Sequence, residues 1–378
     1  MDKNRWIKRF LFVVIFGFVI GLQFGCIKEE FDEYGYYKEV NLDYVSNQNE
    51  GANVKNIILI IGDGMGENQV KLTEKYGLKG SQALDILKAE YKGLIDTNCL
   101  NNYVTDSAAA ATAMATGVRT LYERVGMDEE GNELKTILDY AYENNMGTGL
   151  LTTDNLDGAT PLAFSSHGTN RYLNKEDMIK KQFDSNIDLL MGWGEADYYE
   201  FQDVITSKGY DYTNNKELLL KSKSEKIFAC FSTSSKLQDK MPTLPEMTKK
   251  AIDTLKKNEN GFVLVVEEGL IDKRCDAGDI TGTMEKVINL DKTLRVCLNF
   301  MRSNDETIVI VLADHETGGL VLGDGEPSVD WFTSEDRYHT SVKVPVYAFG
   351  TRSSVFDNCD ILNKDVFDIM LELLGIEK

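Results

Sequence analysis

The segment NIILIIGDGMG, residues 56–66, sets the tightest limit on how this chain folds. Ile57 to Ile61 form an unbroken apolar run that stops at Gly62, Asp63 and Gly64. A strand that is apolar on both of its alternating faces has no side for water, so it belongs inside a parallel sheet covered by helices. The design recurs. GFVLVVEEG ends at Glu267, ETIVIVLADHETGG ends at Asp314 and His315, and GTGLLTTDN delivers a loop that reaches Thr160. Between these runs lie SQALDILKAEY, ELKTILDYAYENN, PEMTKKAIDTLKKN and TMEKVINLDKTLRVCLNFM, each with the apolar spacing of a helix. Strand and helix patterns in alternation predict an α/β three-layer sandwich, a central and mostly parallel sheet flanked by helices. Residues 54–378 read as one domain with small insertions, and the stretch between Arg171 and Glu267 reads as helical and polar segments such as NKEDMIKKQFDSNIDLL.

In such sheets ligands bind beyond the carboxyl ends of the strands, so acids arriving there from distant sequence converge on one pocket. Each acid alone also fits a helix cap or a turn. A further feature belongs with them: VTDSAAAATAMATG, residues 104–117, sets Ser107 beside Asp106 at the start of a helix of small residues. The first turn of a helix carries N–H groups without intrahelical partners, which an anion can use.

The first 26 residues differ from the rest. MDKNRWIKR carries Lys3, Arg5, Lys8 and Arg9, and an apolar run follows as far as Cys26. This is the pattern of an export signal, with an uncleaved N-terminal anchor as the other reading. Leu22, Gln23, Phe24 and Gly25 before Cys26 resemble a bacterial lipoprotein cleavage site, which predicts a protein outside the cytoplasm, held to the membrane by lipid or secreted. Residues 27–53 read as a polar tether. The formal charge of -20, from 41 Lys and Arg against 61 Asp and Glu, argues against nucleic acid as a partner. Five cysteines beyond Cys26 have no paired CxxC spacing, and Cys99, Cys230 and Cys297 read as small core hydrophobes.

Taken in order, GDGMG with Asp63, TDSAAAA with Ser107, ATP with Thr160, VEEGLID with Glu267 and Asp272, ADHETGG with Asp314 and His315, and YHT with His339 resemble the alkaline phosphatase family from about residue 54 onward. The resemblance implies a metal-dependent phosphomonoesterase with Ser107 as nucleophile, a phosphoserine intermediate, two zinc ions and one magnesium. It implies Asp63, Asp314 and His315 as ligands of the zinc nearest Ser107, and Asp272 and His339 as ligands of the zinc at the leaving group. Asp63, Thr160 and Glu267 would hold the magnesium, and Arg171 would grip two phosphate oxygens with its planar fork. Varied small phosphate esters follow as substrates, and the family likeness suggests a homodimer. The chemistry suits these residue types: a serine hydroxyl is a weak nucleophile until a cation or a helix N-terminus favours its alkoxide.

The pattern breaks in two places. Asp276 stands four residues after Asp272, where the family carries a histidine. It reads either as a carboxylate ligand of the leaving-group zinc or as a helix or turn residue, with Cys275 a weaker substitute. Gly158 stands where relatives carry Asp or His beside the magnesium. Lys273 matches a lysine that reaches the phosphate through water in some relatives, and equally fits a solvated surface residue. Of the three histidines, His167 reads as structural. Phosphodiesterases and phosphonate hydrolases share the metal core, and a weakly active phosphate-binding lipoprotein is the reading from outside catalysis. Ser107 in TDSAAAA does not fit the CxPxR-like context of sulfatases.

Overall fold

The computed structural model describes residues 53–78, 82–233 and 241–378. The leader with Cys26, and the tether apart from its last residue, lie outside the described residues. The molecule is built on a ten-stranded sheet. In chain order its strands are β1 (Asn56–Gly62), β2 (Tyr91–Asp96), β3 (Gly147–Asn155), β4 (Leu189–Trp193), β5 (Asp211–Thr213), β6 (Ile227–Phe231), β7 (Phe262–Glu268) and β8 (Thr307–Leu312). A two-stranded ribbon of β9 (Glu316–Thr317) and β10 (His339–Thr340) stands apart, and β11 (Val344–Gly350) and β12 (Asp360–Leu362) complete the sheet.

The spatial order is β12-β2-β11-β8-β1-β7-β3-β4-β6-β5. Only β11 runs against its neighbours, β8 and β2; the other pairs are parallel. The mostly parallel sheet expected from the apolar runs is therefore present, with β1 between β7 and β8. Ile57 to Ile61 are fully buried, and each such side chain contributes about 1.5–3 kcal/mol of hydrophobic stabilisation. Two sets of helices cover the sheet. The 22-residue helix Ile280–Met301 packs on β1, β7 and β8 and beside Leu244–Leu255, while Ser107–Thr116 packs against Ala159–Ser165.

One region differs from the sequence reading. The stretch read as helical and polar segments supplies three further parallel strands, β4, β5 and β6. Their runs of three to five residues are too short to show a period and are fixed by pairing with neighbours.

Register decides where the acids arrive. Ile61 pairs with Glu267 on one side and with Leu312 on the other, and Thr152 pairs with Glu267 across the next strand. Asp63, Glu267, Asp314 and the residues after Thr152 thus emerge along one edge. The ribbon adds what the sheet cannot reach: His339 pairs with Thr317 and is brought back beside His315. Cys99, Cys230 and Cys297 are buried free thiols, as read from the sequence.

Candidate active site

Ser107 opens a helix whose ten residues are all buried, and its small side chains let the Ala159–Ser165 helix pack closely. Asp106 is the N-cap, accepting from the Ala108 and Ala109 N–H groups, both at 3.2 Å. The amides expected to be open to an anion are in part already used. The helix still favours negative charge at Ser107 through its dipole. Asp106 also accepts from the Glu123 N–H at 3.0 Å and lies 3.7 Å from Arg171 Nη1, so one carboxylate fixes both the helix start and the guanidinium. Glu123 repeats the hold, its carbonyl accepting from the Arg171 N–H at 2.8 Å.

The Ser107 hydroxyl lies 3.2 Å from His315 Nε2. Around that nitrogen Asp63 Oδ1 and Asp314 Oδ2 each stand at 3.4 Å. Asp314 is aimed by its other oxygen, which accepts from the Gly64 and His315 N–H groups at 3.1 and 3.0 Å. Gly64 has φ of +73°, and a Cβ there would sit 2.6 Å from Thr317 Oγ1 and 3.0 Å from Asp272 Cα. Only glycine lets this turn bring both acidic clusters so close.

The second cluster joins Asp272 and His339 to His315. His339 Nε2 is 3.4 Å from Asp272 Oδ1, and the two imidazole rings stack with centroids 3.6 Å apart. His339 Nδ1 donates to the Thr105 carbonyl at 2.9 Å, which turns Nε2 toward Asp272, as a donor while the ring is protonated and as the nitrogen with a lone pair for a ligand once it is neutral. Thr317, unremarked in the sequence, donates its hydroxyl to Asp272 at 2.5 Å and lies 3.2 Å from His315 Nδ1, tying the clusters together. In each cluster, Asp63, Asp314 and His315 or Asp272, His315 and His339, the ligand atoms lie within 4.8 Å of one another.

Asp276 shares a helix face with Asp272, four residues on, but lies outside that 4.8 Å span. Its Oδ1 is buried without a hydrogen-bond donor, and burial followed by the charge of Asp272 pushes its carboxyl up to about 6. Cys275 faces away, with Sγ 3.6 Å from the Thr283 hydroxyl and 4.0 Å from Gln69 Nε2. His167 is remote from the clusters in its bonding, its Nε2 meeting the Leu134 carbonyl at 3.0 Å.

A third group lies behind Asp63. Glu267 accepts from the Thr152 hydroxyl, with the Thr160 hydroxyl also beside it. Lys273 is paired with Asp154. Burial, then the charges of Asp154 and Asp314, push Glu267 up to about 8. Burial, then Asp314, Asp272, Glu267 and Asp154, raise Asp63 well above the usual carboxylate range. Burial opposes charge on Asp272 as well, yet the bond from His339 and the charges of both histidines hold it well below that range.

So many carboxylates at close range oppose one another unless cations stand among them. Asp63 Oδ1 and Asp314 Oδ2 are buried oxygens without hydrogen-bond donors, as is Asp276 Oδ1. The mixed carboxylate and imidazole clusters fit transition metals such as zinc; the hydroxyl and carboxylates of Thr160, Glu267 and Asp63 fit a hard cation such as magnesium.

Comparison with known proteins agrees with this arrangement. The family model described as alkaline phosphatase matches residues 54–352. Alkaline phosphatase 4 of Bacillus subtilis (strain 168) is 32% identical over 300 residues, covering 74% of this chain and 65% of the relative. Alkaline phosphatase 3 of the same organism is 32% identical over 310 residues, covering 76% and 65%. The chain thus spans about 65% of the length of these two relatives. The structure of alkaline phosphatase from the Antarctic bacterium TAB5 superposes with a TM-score of 0.74 at 25% identity, over 86% of this chain and 99% of that one. On the family model's match to most of its length, the chain belongs to the alkaline phosphatase family.

Proposed function

We propose that this protein is a phosphomonoesterase that forms a phosphoserine on Ser107. The observation that carries the reading is the Ser107 hydroxyl, 3.2 Å from His315 Nε2, the imidazole shared by both ligand clusters. Asp63, Asp314 and His315 would hold one zinc, Asp272 and His339 with Asp276 the other, and Asp63, Thr160 and Glu267 a magnesium. Bound there, the ions supply positive charge beside the entering and leaving oxygens of an in-line displacement.

The residues of the chain do the rest. The helix dipole favours the Ser107 alkoxide, whose oxygen attacks phosphorus while the ester P–O bond breaks and the alcohol departs with a proton. Arg171, held by Asp106, pairs with two phosphate oxygens and keeps the group in line. Water then attacks phosphorus from the opposite side; the Ser107–phosphorus bond breaks, phosphate leaves, and Ser107 recovers its proton. These contacts grip the phosphate and not the alcohol, so the expected substrates are varied small monoesters. We place the enzyme outside the cytoplasm, tethered through Cys26, on the sequence of the leader alone.

The test is turnover of p-nitrophenyl phosphate and of its bis-ester with zinc and magnesium supplied. Monoester turnover that Ser107→Ala abolishes is the expected result. Preference for the bis-ester favours a phosphodiesterase, and phosphate binding with no turnover of either overturns the catalytic reading.

A further inference from the structure

Two tyrosines meet on the solvent side of the site. The Tyr122 and Tyr338 hydroxyls lie 2.7 Å apart, although 216 residues separate them in sequence. Each adjoins a residue already placed: Tyr122 precedes Glu123, whose carbonyl holds the Arg171 N–H, and Tyr338 precedes His339. Neighbours along an extended chain ordinarily point to opposite sides. Tyr338 is extended, with φ of -74° and ψ of 178°, yet its ring lies against His339, centroids 4.7 Å apart and planes 13° from parallel. Its backbone is pinned in that pose. The carbonyl accepts from the Gly318 N–H at 2.9 Å and the Ser334 hydroxyl at 2.8 Å, and the N–H donates to the Glu335 carbonyl at 3.1 Å. Since the His315 and His339 rings are themselves stacked, three rings run outward from beside Ser107, and the last of them, Tyr338, is 48% exposed. A half-exposed tyrosine alone is an ordinary surface residue. One that ends a stack of candidate ligand imidazoles, and is tied by its hydroxyl to the segment holding Arg171, has a fixed place at the site.

We propose that Tyr338, steadied by Tyr122, is the wall on which the departing alcohol rests, and that it gives the enzyme a preference for monoesters of planar aromatic alcohols over aliphatic ones. This rests on the phosphatase reading for where phosphorus sits. In an in-line displacement the leaving oxygen lies opposite Ser107, on the side of Asp272 and His339. What that oxygen carries therefore lies along His339 and meets the next ring outward. An aromatic group offers Tyr338 a π face for offset or edge-on contact, which a saturated group lacks. The bond from Tyr122 matters because a ring left free to swing would have to be ordered by the substrate at a cost in affinity.

Aromatic alcohols are also better leaving groups, so turnover alone would mix chemistry with recognition. The measurement is therefore binding, by calorimetry on the full chain with zinc and magnesium supplied. Its probes are benzylphosphonate and cyclohexylmethylphosphonate, dianions of similar size in which a methylene replaces the ester oxygen. Benzylphosphonate should bind about three- to tenfold more tightly, the increment expected from one aromatic pair beyond its buried area. Tyr338→Leu, which keeps bulk and removes the planar face, should bring the two within about twofold. Tyr338→Phe and Tyr122→Phe keep the rings and lose the bond between hydroxyls, so each should keep part of the preference, and the double variant should lose no more than either single one. Tyr142 is the control: 47% exposed, it lies on the helix Ile137–Glu143 that leads into the start of β3, at the opposite edge of the sheet. Tyr142→Leu should leave the preference as it is.

Equal affinity for the two phosphonates in the wild type, or a preference that Tyr338→Leu leaves intact, overturns the proposal whether or not monoesters are turned over. Zinc content is measured for every variant. If Tyr338→Leu loses zinc, the two phenylalanine variants decide, and an undiminished preference in both overturns the proposal. A benzyl preference that Tyr338→Leu abolishes, in a chain that hydrolyses no monoester, sustains the wall and rejects the phosphomonoesterase reading.

Discussion

Gly64 is where the structure has least room, and Gly64→Ala measures how much the two ligand clusters depend on that closeness. At φ of +73°, an L-residue costs about 1–2 kcal/mol by conformation alone. The new methyl would then lie 2.6 Å from Thr317 Oγ1 and 3.0 Å from Asp272 Cα. Thr317 cannot yield easily, because its hydroxyl is engaged with Asp272 and His315, and a backbone carbon cannot yield by a rotamer change. Overpacking of this kind costs a further 1–3 kcal/mol or so. The total, about 2–5 kcal/mol, corresponds to a Tm lowered by roughly 3–7 °C in a folded chain of this size. Gly131 provides the control: its φ is +89°, and a Cβ there meets nothing within 4 Å. Gly131→Ala should therefore show the conformational cost alone, with full zinc content. Gly64→Ala should melt lower than that control and bind less zinc, because displacing Thr317 misplaces Asp272 and His315 together. Both proteins are compared by calorimetry and metal analysis. Equal melting temperatures with equal zinc content would refute the claim that the clusters are held together across Gly64.

Stripping the metals should expose a pH-dependent weakness. Glu267, ordinarily near 4.5, is raised to about 8 in the folded chain, so its contribution to stability is complete below about 4.5 and is lost as pH rises through about 8. Chelated protein should therefore melt progressively lower from pH 5 to pH 8 while metal-loaded protein changes less; parallel melting curves would count against it. Asp106→Ala removes the cap of the Ser107 helix, worth about 1 kcal/mol, and the carboxylate beside Arg171. It should lower Tm by about one to two degrees and raise the inhibition constant for inorganic phosphate about tenfold with metal content unchanged, an assay that fails the argument if phosphate binds as before. Asp276→His should increase zinc retention under chelation if a carboxylate now fills that place weakly, and metal analysis that finds retention unaltered would assign Asp276 to the helix face alone.

The parts of the fold that showed in the sequence are those fixed by local pattern. β1, β7 and β8 are long enough for an unbroken apolar run to reveal burial on both faces, and their terminal acids follow from that position. β4, β5 and β6 were hidden because three to five residues carry no period, and partners brought from elsewhere decide their state. The same distinction runs through the candidate site. Asp63, Asp314 and His315 lie at or next to strand ends, whereas Thr317 matters through a hydroxyl that bridges Asp272 and His315, a contact made only when the ribbon closes. The use of the Ala108 and Ala109 amides by Asp106 was readable in principle, since aspartate just before a helix is a common cap, but the serine drew attention to the anion it could hold instead.

The helix behind Ser107 has a consequence for how this protein can vary. Its ten positions are buried and all but Met114 are Ser, Ala or Thr, so their side chains already lie near the lower limit of size. Drift at the alanines can proceed almost solely by adding atoms, and added atoms push against the neighbouring helix. A saturation library over residues 108–115 should accordingly lose clones at alanine positions in proportion to the volume introduced and not to its polarity, making this segment a bulk gauge for selection.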